Sequence, residues 1–321
     1  MLTVRGTGTQ LARRCAAALE KHAGLRVTRV PRARDRGSGV GGGVTGGAGS
    51  GSAGTSGAGR PGKGRIRPPR DPADRLLVAP VFVLSAPRSG STLLRVVLDS
   101  HSRVHAPIET HVRRLAVDPT TPLVRKAMEA LGHNTADVEH ILWDRILHRE
   151  LLRSGKDVIV EKTPSNVFAA DRFATCWPDA RFIFLLRHPV SIARSWHDAD
   201  PARRPMNRAV LHTLKYMRAL DGVRQRLPGL TVRYEDVTED PAAEFHRICD
   251  FLDLPWEPGM IAYGEQDHGD FDKGIGDWRD KIRSGTVQPG RSIPRPDAIP
   301  RELRPMCESW GYVEANAASG D

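Results

Sequence analysis

The chain has 321 residues and a formal net charge of +10. This length allows one α/β domain of ordinary size plus an additional segment, and the charge favours anionic ligands without choosing among them. No apolar run approaches about 18 residues, which excludes a membrane-spanning helix. The four cysteines form neither a CxxC pair nor a metal-ligand cluster. We therefore expect a cytoplasmic protein with reduced thiols and no bound metal.

Residues 1–75 are predicted to form a disordered extension that precedes a folded domain at 76–315. From Arg32 to Asp74 the chain is rich first in Gly and Ser and then in Pro and Arg, a composition typical of flexible linkers. A basic arm that binds nucleic acid is the alternative. The segment contains no aromatic side chain for base stacking, so we expect no nucleic-acid partner.

From residue 76 onwards, apolar runs alternate with amphipathic segments. Leu77–Leu84 predicts a strand buried on both faces, as in a parallel sheet. The segment after it, around Leu93–Leu98, has helical spacing. Later strands are predicted at 157–161, 180–186 and 230–234, with helices at about 165–176, 189–198 and 241–252, and helices at 122–131 and 135–153 are expected to form a cap. This alternation predicts an α/β fold of three layers, with a central parallel sheet and helices on both faces.

The first strand runs into Ala86-Pro87-Arg88-Ser89-Gly90-Ser91-Thr92 and then into a helix. Such a turn aims backbone N–H groups at one point and forms an anion site. Gly90 allows a phosphate to approach the backbone closely. Hydroxyl donors and a fixed positive charge come from Ser89, Ser91, Thr92 and Arg88. The loop resembles a nucleotide P-loop but lacks the GxxxxGK[ST] lysine and spacing. The fold is therefore expected to be P-loop-like, whereas an NTPase activity is disfavoured. The simpler alternative to an anion site is that the loop serves only as a serine-rich helix cap.

A second motif begins with Arg187 at the end of the predicted strand 180–186, and Ser195 lies on the helix that follows. The two motifs together resemble the sulfotransferase family. In that family the first loop binds the 5′-phosphosulfate of 3′-phosphoadenosine 5′-phosphosulfate (PAPS), and an arginine and a serine at this spacing bind the 3′-phosphate. The resemblance implies that Arg88–Thr92 hold the 5′ end of PAPS and that Arg187 and Ser195 hold the 3′ end. A surface arginine and an unrelated helix serine are the alternative.

The stretch from Pro87 to His111 is similar to protein-tyrosine sulfotransferases and their bacterial relatives. Matching positions are Arg95, Leu98-Asp99, His101 and Glu109-Thr110. The resemblance implies that Glu109 is the general base that takes the acceptor proton, which requires a carboxylate within hydrogen-bond reach of the acceptor. Two alternatives stay open: Glu109 pairs with Arg113, or His111 is the base, as a histidine is in cytosolic members of the superfamily.

Three further positions take roles from the resemblance. Lys162, at the end of a strand, would stabilise the charge that builds on the bridging oxygen of the donor; an exposed lysine is the alternative. Tyr234 would lie near the adenosine half, or would only pack against the strand end. Lys281–Ser284 resembles a loop whose serine, here Ser284, faces the leaving group. Lys273–Trp278 resembles the RKGxxGDW loop that covers the nucleotide, with Asp272 in place of the arginine.

The sequence thus predicts an enzyme that transfers a sulfuryl group from PAPS to an acceptor hydroxyl or amine by in-line displacement, without a metal. The acceptor is expected to be a small molecule, a carbohydrate or a peptide, and a homodimer is compatible with the sequence. The main rival is a P-loop-like small-molecule kinase, which would require ATP and Mg²⁺ and would tolerate Arg187→Ala. A nucleic-acid-binding basic protein is the second rival, and it leaves the paired phosphate sites unexplained.

Overall fold

A computed structural model of the chain describes residues 72–266, 268 and 280–314. Most of the predicted extension and the 273–278 segment lie outside the described residues. The described chain belongs to two compact units. Of the first, residues Pro119–Leu131 are described. They contain one helix, α2 (Pro122–Ala130), which Thr121 caps by accepting a hydrogen bond from the Val124 N–H. The second unit contains all other described elements.

The second unit is built on a sheet of five parallel strands in the order β2-β3-β1-β4-β5. The strands are β1 (Val81–Ser85), β2 (Val104–His105), β3 (Val158–Glu161), β4 (Arg181–Leu186) and β5 (Leu230–Arg233). β1 lies at the centre, between β3 and β4. Since the strands are parallel, their carboxyl ends meet at one edge of the sheet. The predicted parallel α/β fold is therefore confirmed.

In the described part of this unit, nine α-helices connect or flank the strands. They are α1 (Ser91–Asp99), α3 (Thr135–Ser154), α4 (Ala170–Cys176), α5 (Pro189–Asp198), α6 (Met206–Arg224), α7 (Tyr234–Glu239), α8 (Pro241–Phe251), α9 (Asp280–Arg283) and α10 (Arg304–Ser309). Five 3₁₀ helices lie at Pro72–Asp74, Val112–Arg114, Pro164–Phe168, Pro258–Glu265 and Pro296–Ala298. Among the residues described, no helix is long and apolar enough to cross a membrane.

Apolar side chains cover both faces of the sheet, because alternate residues of a strand point to opposite sides. On one face Phe82 of β1 stacks on Phe173 of α4, with ring centroids 4.4 Å apart, in a core that also includes Met217 of α6. On the other face Val83 of β1 packs in a core with Phe245 of α8 and residues of α1. The two cores explain why β1 and β4 are continuous apolar runs rather than alternating ones.

Among the predicted boundaries that differ from those observed, three have a visible local cause. β1 begins at Val81 rather than Leu77, because the Leu77 N–H donates to the Asp144 carboxylate instead of to a neighbouring strand. The predicted helix at 165–176 is a 3₁₀ helix followed by α4, interrupted at Ala169, whose φ of −131° is not helical. Tyr234 opens α7 instead of ending β5.

Candidate active site

The loop between β1 and α1 lies at the carboxyl end of the central strand. Arg88 and Gly90 both have positive φ angles, 72° and 91°, which fold the chain into a tight turn before Ser91 begins α1. A Cβ atom on Gly90 would lie 2.6 Å from Cε2 of Tyr234, so only glycine fits between the loop and this ring. No side chain caps α1, so its first N–H groups are available to an anion.

Ser89 adds a second sign of an anion site. It is fully buried, and its Oγ has no hydrogen-bond partner among the described residues. A buried polar atom left without a partner is costly. An anionic group in the loop would supply the missing acceptor.

The two predicted phosphate motifs meet in space. Arg187, at the end of β4, donates from Nη1 to the carbonyl of Arg88 at 2.9 Å. In return, the Arg88 Nε donates to Oγ of Ser195 on α5 at 3.2 Å. The Arg187 guanidinium also lies 4.2 Å from the centroid of the Tyr234 ring, which packs against the Gly90 backbone as well. Arg88, Gly90, Arg187, Ser195 and Tyr234 therefore form one cluster, and the Arg88 side chain points towards Ser195.

Arg187 is a buried cation. Burial lowers its pKa, an effect that Tyr234 and Glu235 oppose and that Arg291 reinforces. Sequence reasoning missed Arg291, which forms an ion pair with Asp198 at 2.9 Å. Nothing in the sequence near Arg291 marks it, because it reaches this region only through the fold. Among the described residues, Arg88, Arg187 and Arg291 thus all contribute positive charge on this side of the site.

Glu109 and Lys162 are also brought together. Lys162 is fully buried, and its Nζ donates to Oε1 of Glu109 at 2.6 Å. Burial lowers the pKa of Lys162, and the Glu109 carboxylate acts in the opposite direction. The His111 Nε2 lies 3.7 Å from the other carboxylate oxygen. The predicted alternative pair of Glu109 with Arg113 is not the contact that forms: the Arg113 guanidinium lies over the Phe168 ring.

A second carboxylate, which sequence reasoning also missed, fixes the two chain segments that carry this pair. Glu161 is the last residue of β3 and is fully buried. Its Oε1 accepts from the Thr110 and Thr163 hydroxyls, each at 2.7 Å, and its Oε2 contacts the Asn166 amide. Thr110 follows Glu109 and Thr163 follows Lys162, so one carboxylate fixes both segments. Burial raises the pKa of Glu161, although the two threonine hydroxyls oppose this shift.

Helix α1 positions the segment that leads to Glu109. The Arg95 Nη1 donates to the Ala106 carbonyl at 2.8 Å, and the Asp99 Oδ1 accepts from the Ala106 N–H at 2.8 Å. Burial acts to raise the pKa of Asp99, but hydrogen bonds from His105, His268 and Ala106 hold it below its ordinary value. Arg95 and Asp99, two of the matching positions noted in the sequence, therefore orient the backbone that leads to Glu109.

Ser284 lies far in sequence from the loop between β1 and α1, in an exposed turn after α9. Its Oγ donates to the Thr286 carbonyl at 3.1 Å, which also accepts from the Tyr263 hydroxyl at 3.0 Å. The adjacent Gly285 packs directly on Gly264: the Gly264 N–H donates to the Gly285 carbonyl at 2.8 Å, and a Cβ on Gly285 would lie 2.8 Å from the Gly264 Cα. The role predicted for Ser284 stays a prediction.

Comparison with known proteins identifies the class. Residues 80–258 match a family model described as the sulfotransferase family, so the chain belongs to the sulfotransferase family. The nodulation protein NoeE of Sinorhizobium fredii (strain NBRC 101917 / NGR234) is 29% identical over 216 residues, which cover 57% of this chain and 51% of NoeE. Protein-tyrosine sulfotransferase 1 of Danio rerio is 25% identical over 206 residues, which cover 58% of this chain and 56% of that protein. The chain thus spans little more than half the length of these two relatives.

Solved structures support the fold. The sulfotransferase domain from the curacin biosynthetic pathway has a TM-score of 0.57 and 20% identity, with 74% of this chain and 99% of that domain covered. The sulfotransferase domain of the Synechococcus PCC 7002 olefin synthase has a TM-score of 0.57 and 22% identity, with 78% of this chain and 100% of that domain covered. At this level of identity the likeness shows the fold alone.

Proposed function

We propose that this member of the sulfotransferase family transfers a sulfuryl group from PAPS to a hydroxyl or amine. The observation that carries the proposal is the mutual contact of Arg88, Arg187 and Ser195. It joins the anion loop after β1 to a cationic site after β4, as two phosphorylated ends of one nucleotide require. A kinase that uses ATP has no 3′-phosphate to place in the second site.

The residues present fit the donor. The N–H groups of the Arg88–Thr92 loop and the buried Ser89 hydroxyl are suited to the 5′-phosphosulfate. Arg187 and Ser195 are suited to the 3′-phosphate, and a planar guanidinium can bind it through two hydrogen bonds. Tyr234, which is partly exposed beside Gly90 and Arg187, is suited to contact the adenosine half. The arginines supply positive charge of the kind that Mg²⁺ supplies in P-loop NTPases.

The Glu109–Lys162 pair is suited to the transfer itself. The acceptor oxygen or nitrogen attacks sulfur, and the bond from sulfur to the bridging phosphate oxygen breaks. Glu109 takes the acceptor proton, and the buried Lys162 ammonium, with the loop N–H groups, stabilises the negative charge that develops on the departing phosphate. The products are the sulfated acceptor and 3′-phosphoadenosine 5′-phosphate.

The acceptor is a small molecule, a carbohydrate or a peptide in this proposal. The protein-tyrosine sulfotransferases among the relatives act, by their name, on protein tyrosine, whereas the two solved domains come from biosynthetic enzymes. The cytoplasm remains the predicted location.

Calorimetry with 3′-phosphoadenosine 5′-phosphate and with ADP tests the proposal. We expect the first nucleotide to bind wild-type protein at least about tenfold more tightly than ADP. This difference corresponds to about 1.4 kcal/mol of binding free energy. Arg187→Ala should abolish this preference. Arg149→Ala, which removes an exposed arginine on α3, is the matched control and should leave it intact. Equal affinity of wild type for both nucleotides would contradict the proposal and favour the kinase.

A further inference from the structure

Four aromatic side chains form a continuous row along one side of α6. The ring centroids of Phe168 and Tyr216 are 4.8 Å apart, those of Tyr216 and His212 are 5.3 Å apart, and those of His212 and Trp196 are 4.4 Å apart. The four residues belong to the 3₁₀ helix Pro164–Phe168, to α6 and to α5. We call them the ring row. All four are partly or largely exposed, so packing of the helices leaves ring surface accessible.

The ring row carries positive charge along its length. The Arg113 guanidinium lies 5.7 Å and the Lys215 Nζ 5.4 Å from the Phe168 centroid, and the Arg204 guanidinium lies 4.2 Å from the Trp196 centroid. Among the described residues, no carboxylate forms an ion pair with Arg113 or Lys215. These two cations lie beside one exposed ring, where an acidic group of a ligand would meet positive charge.

The position of the ring row relates it to the reacting groups. Phe168 ends the 3₁₀ helix that begins two residues after Lys162, and Arg113 lies two residues beyond His111, which contacts Glu109. At the other end Trp196 directly follows Ser195, whose Oγ accepts a hydrogen bond from Arg88. The row is therefore joined through short stretches of chain to the proposed catalytic pair at one end and to the proposed donor site at the other.

We infer that the ring row binds the acceptor, and that this acceptor contains a ring and an acidic group such as a carboxylate or phosphate. Aromatic faces stack on flat or ring-shaped ligands, while Arg113 and Lys215 would pair with the acid. The inference rests on the proposed function, because it assumes that the ligand of this surface is the group to be sulfated. The pKa of His212 is consistent with positive charge along the ring row, because burial, Arg204 and Lys215 all lower it.

Two pairs of matched probes test the inference by binding, without need for turnover. The aromatic pair is 4-hydroxyphenylacetate and its amide, and the sugar pair is methyl β-glucuronide and methyl β-glucoside. Each pair differs only in the acid group. With the full chain saturated with 3′-phosphoadenosine 5′-phosphate, we expect the charged member of one pair to bind at least about fivefold more tightly than its neutral partner. The pair that shows the preference identifies the ring. If neither pair shows a preference for its charged member, the inference is wrong.

Variants separate a specific subsite from general attraction to a basic protein. In the double variant Arg113→Gln, Lys215→Gln the preference for the charged probe should fall to about one. The control Arg145→Gln, Arg149→Gln removes the same charge from exposed positions on α3 and should keep the preference. If the first double variant retains it, the inference is wrong. Phe168→Leu should weaken both members of the preferred pair alike, because it removes a stacking face but no charge.

The same samples distinguish the two proposals. If wild type binds 3′-phosphoadenosine 5′-phosphate in preference to ADP but shows no preference for a charged probe, the acceptor subsite fails and the sulfotransferase proposal stands. If the nucleotide preference itself is absent, both fail.

Discussion

Among single residues, Glu109 has the most direct part in the proposed chemistry. Glu109→Gln keeps the shape of the side chain but cannot take a proton, so kcat should fall at least about a hundredfold. The affinity for 3′-phosphoadenosine 5′-phosphate should change little, because the phosphate sites lie on other residues. Steady-state kinetics and calorimetry measure the two effects. His111→Gln is the comparison: a hundredfold loss there, with Glu109→Gln near wild type, would make His111 the base.

Glu161 predicts a pH dependence of stability. Burial raises its pKa in the folded state, so the stability linked to its protonation is present at low pH and is lost as pH rises through the folded-state pKa. Glu161→Gln lacks this titration. The free energy of unfolding of wild type, relative to the variant, should therefore decrease as the pH rises above the pKa of an unfolded glutamate, about 4.3. Urea denaturation at several pH values measures it. An increase instead would mean that the three donors around Glu161 outweigh its burial.

Glu161 also shows why part of the site escaped prediction. Its neighbour Lys162 was found because a motif contains it, whereas Glu161 reads only as the polar end of an apolar strand. Its importance comes from Thr110, which lies 51 positions earlier and reaches it through the fold. Contacts between distant segments of this kind leave no local pattern.

At the scale of elements, the junction of β1 and α1 depends on the absence of a side chain at Gly90. Gly90→Ala places a methyl group against the Tyr234 ring on a backbone with a positive φ, and should lower the free energy of unfolding by about 2–3 kcal/mol. Gly155→Ala is the matched control: its φ is also positive, at 67°, but nothing lies within 4 Å of its Cβ. Its cost should be only about 1 kcal/mol. Equal costs in urea denaturation would contradict the packing of Tyr234 on the loop.

Elements with continuous apolar runs were predicted well, because burial on both faces makes the pattern strong. β4 and α5 have nearly the predicted bounds. α6 was missed although its buried residues recur at helical spacing, because Thr213 and Ala209 occupy two of those positions and weaken the apolar stripe. β2 has only two residues, too few to form a pattern. The phosphate loops were predictable because carboxyl ends of adjacent parallel strands must lie close together.

For the molecule as a whole, the start of the folded domain is testable. The Leu76 and Leu77 N–H groups donate to the Asp144 carboxylate at 2.8 and 3.1 Å, and the Trp177 indole donates to it at 2.9 Å. Limited trypsin digestion of the full chain should therefore cut within residues 1–70 and leave a resistant fragment that begins at or before Leu76. A stable fragment that begins well after Leu76 would contradict the proposed domain boundary.

Asp144 itself should be essential to this attachment. Asp144→Ala leaves three donors without an acceptor, two of them buried, and should lower the free energy of unfolding by about 3 kcal/mol. Asp297→Ala, at an exposed position in the 3₁₀ helix Pro296–Ala298, should change it by less than about 0.5 kcal/mol. Thermal or urea denaturation of both variants measures these changes in the free energy of unfolding. A loss no larger than that of the control would mean that the chain enters the sheet differently.

The contact between Gly264 and Gly285 has a consequence for how this protein can diversify. Residues 265–284 lie between the two glycines in sequence, and the glycines themselves are in direct backbone contact. Doubling the length of such an insert adds only about 0.6 kcal/mol of closure entropy. The length of the chain between the two glycines can therefore change at little entropic cost, provided that His268, which contacts Asp99 of α1, and Ile282, which packs on the core, are kept.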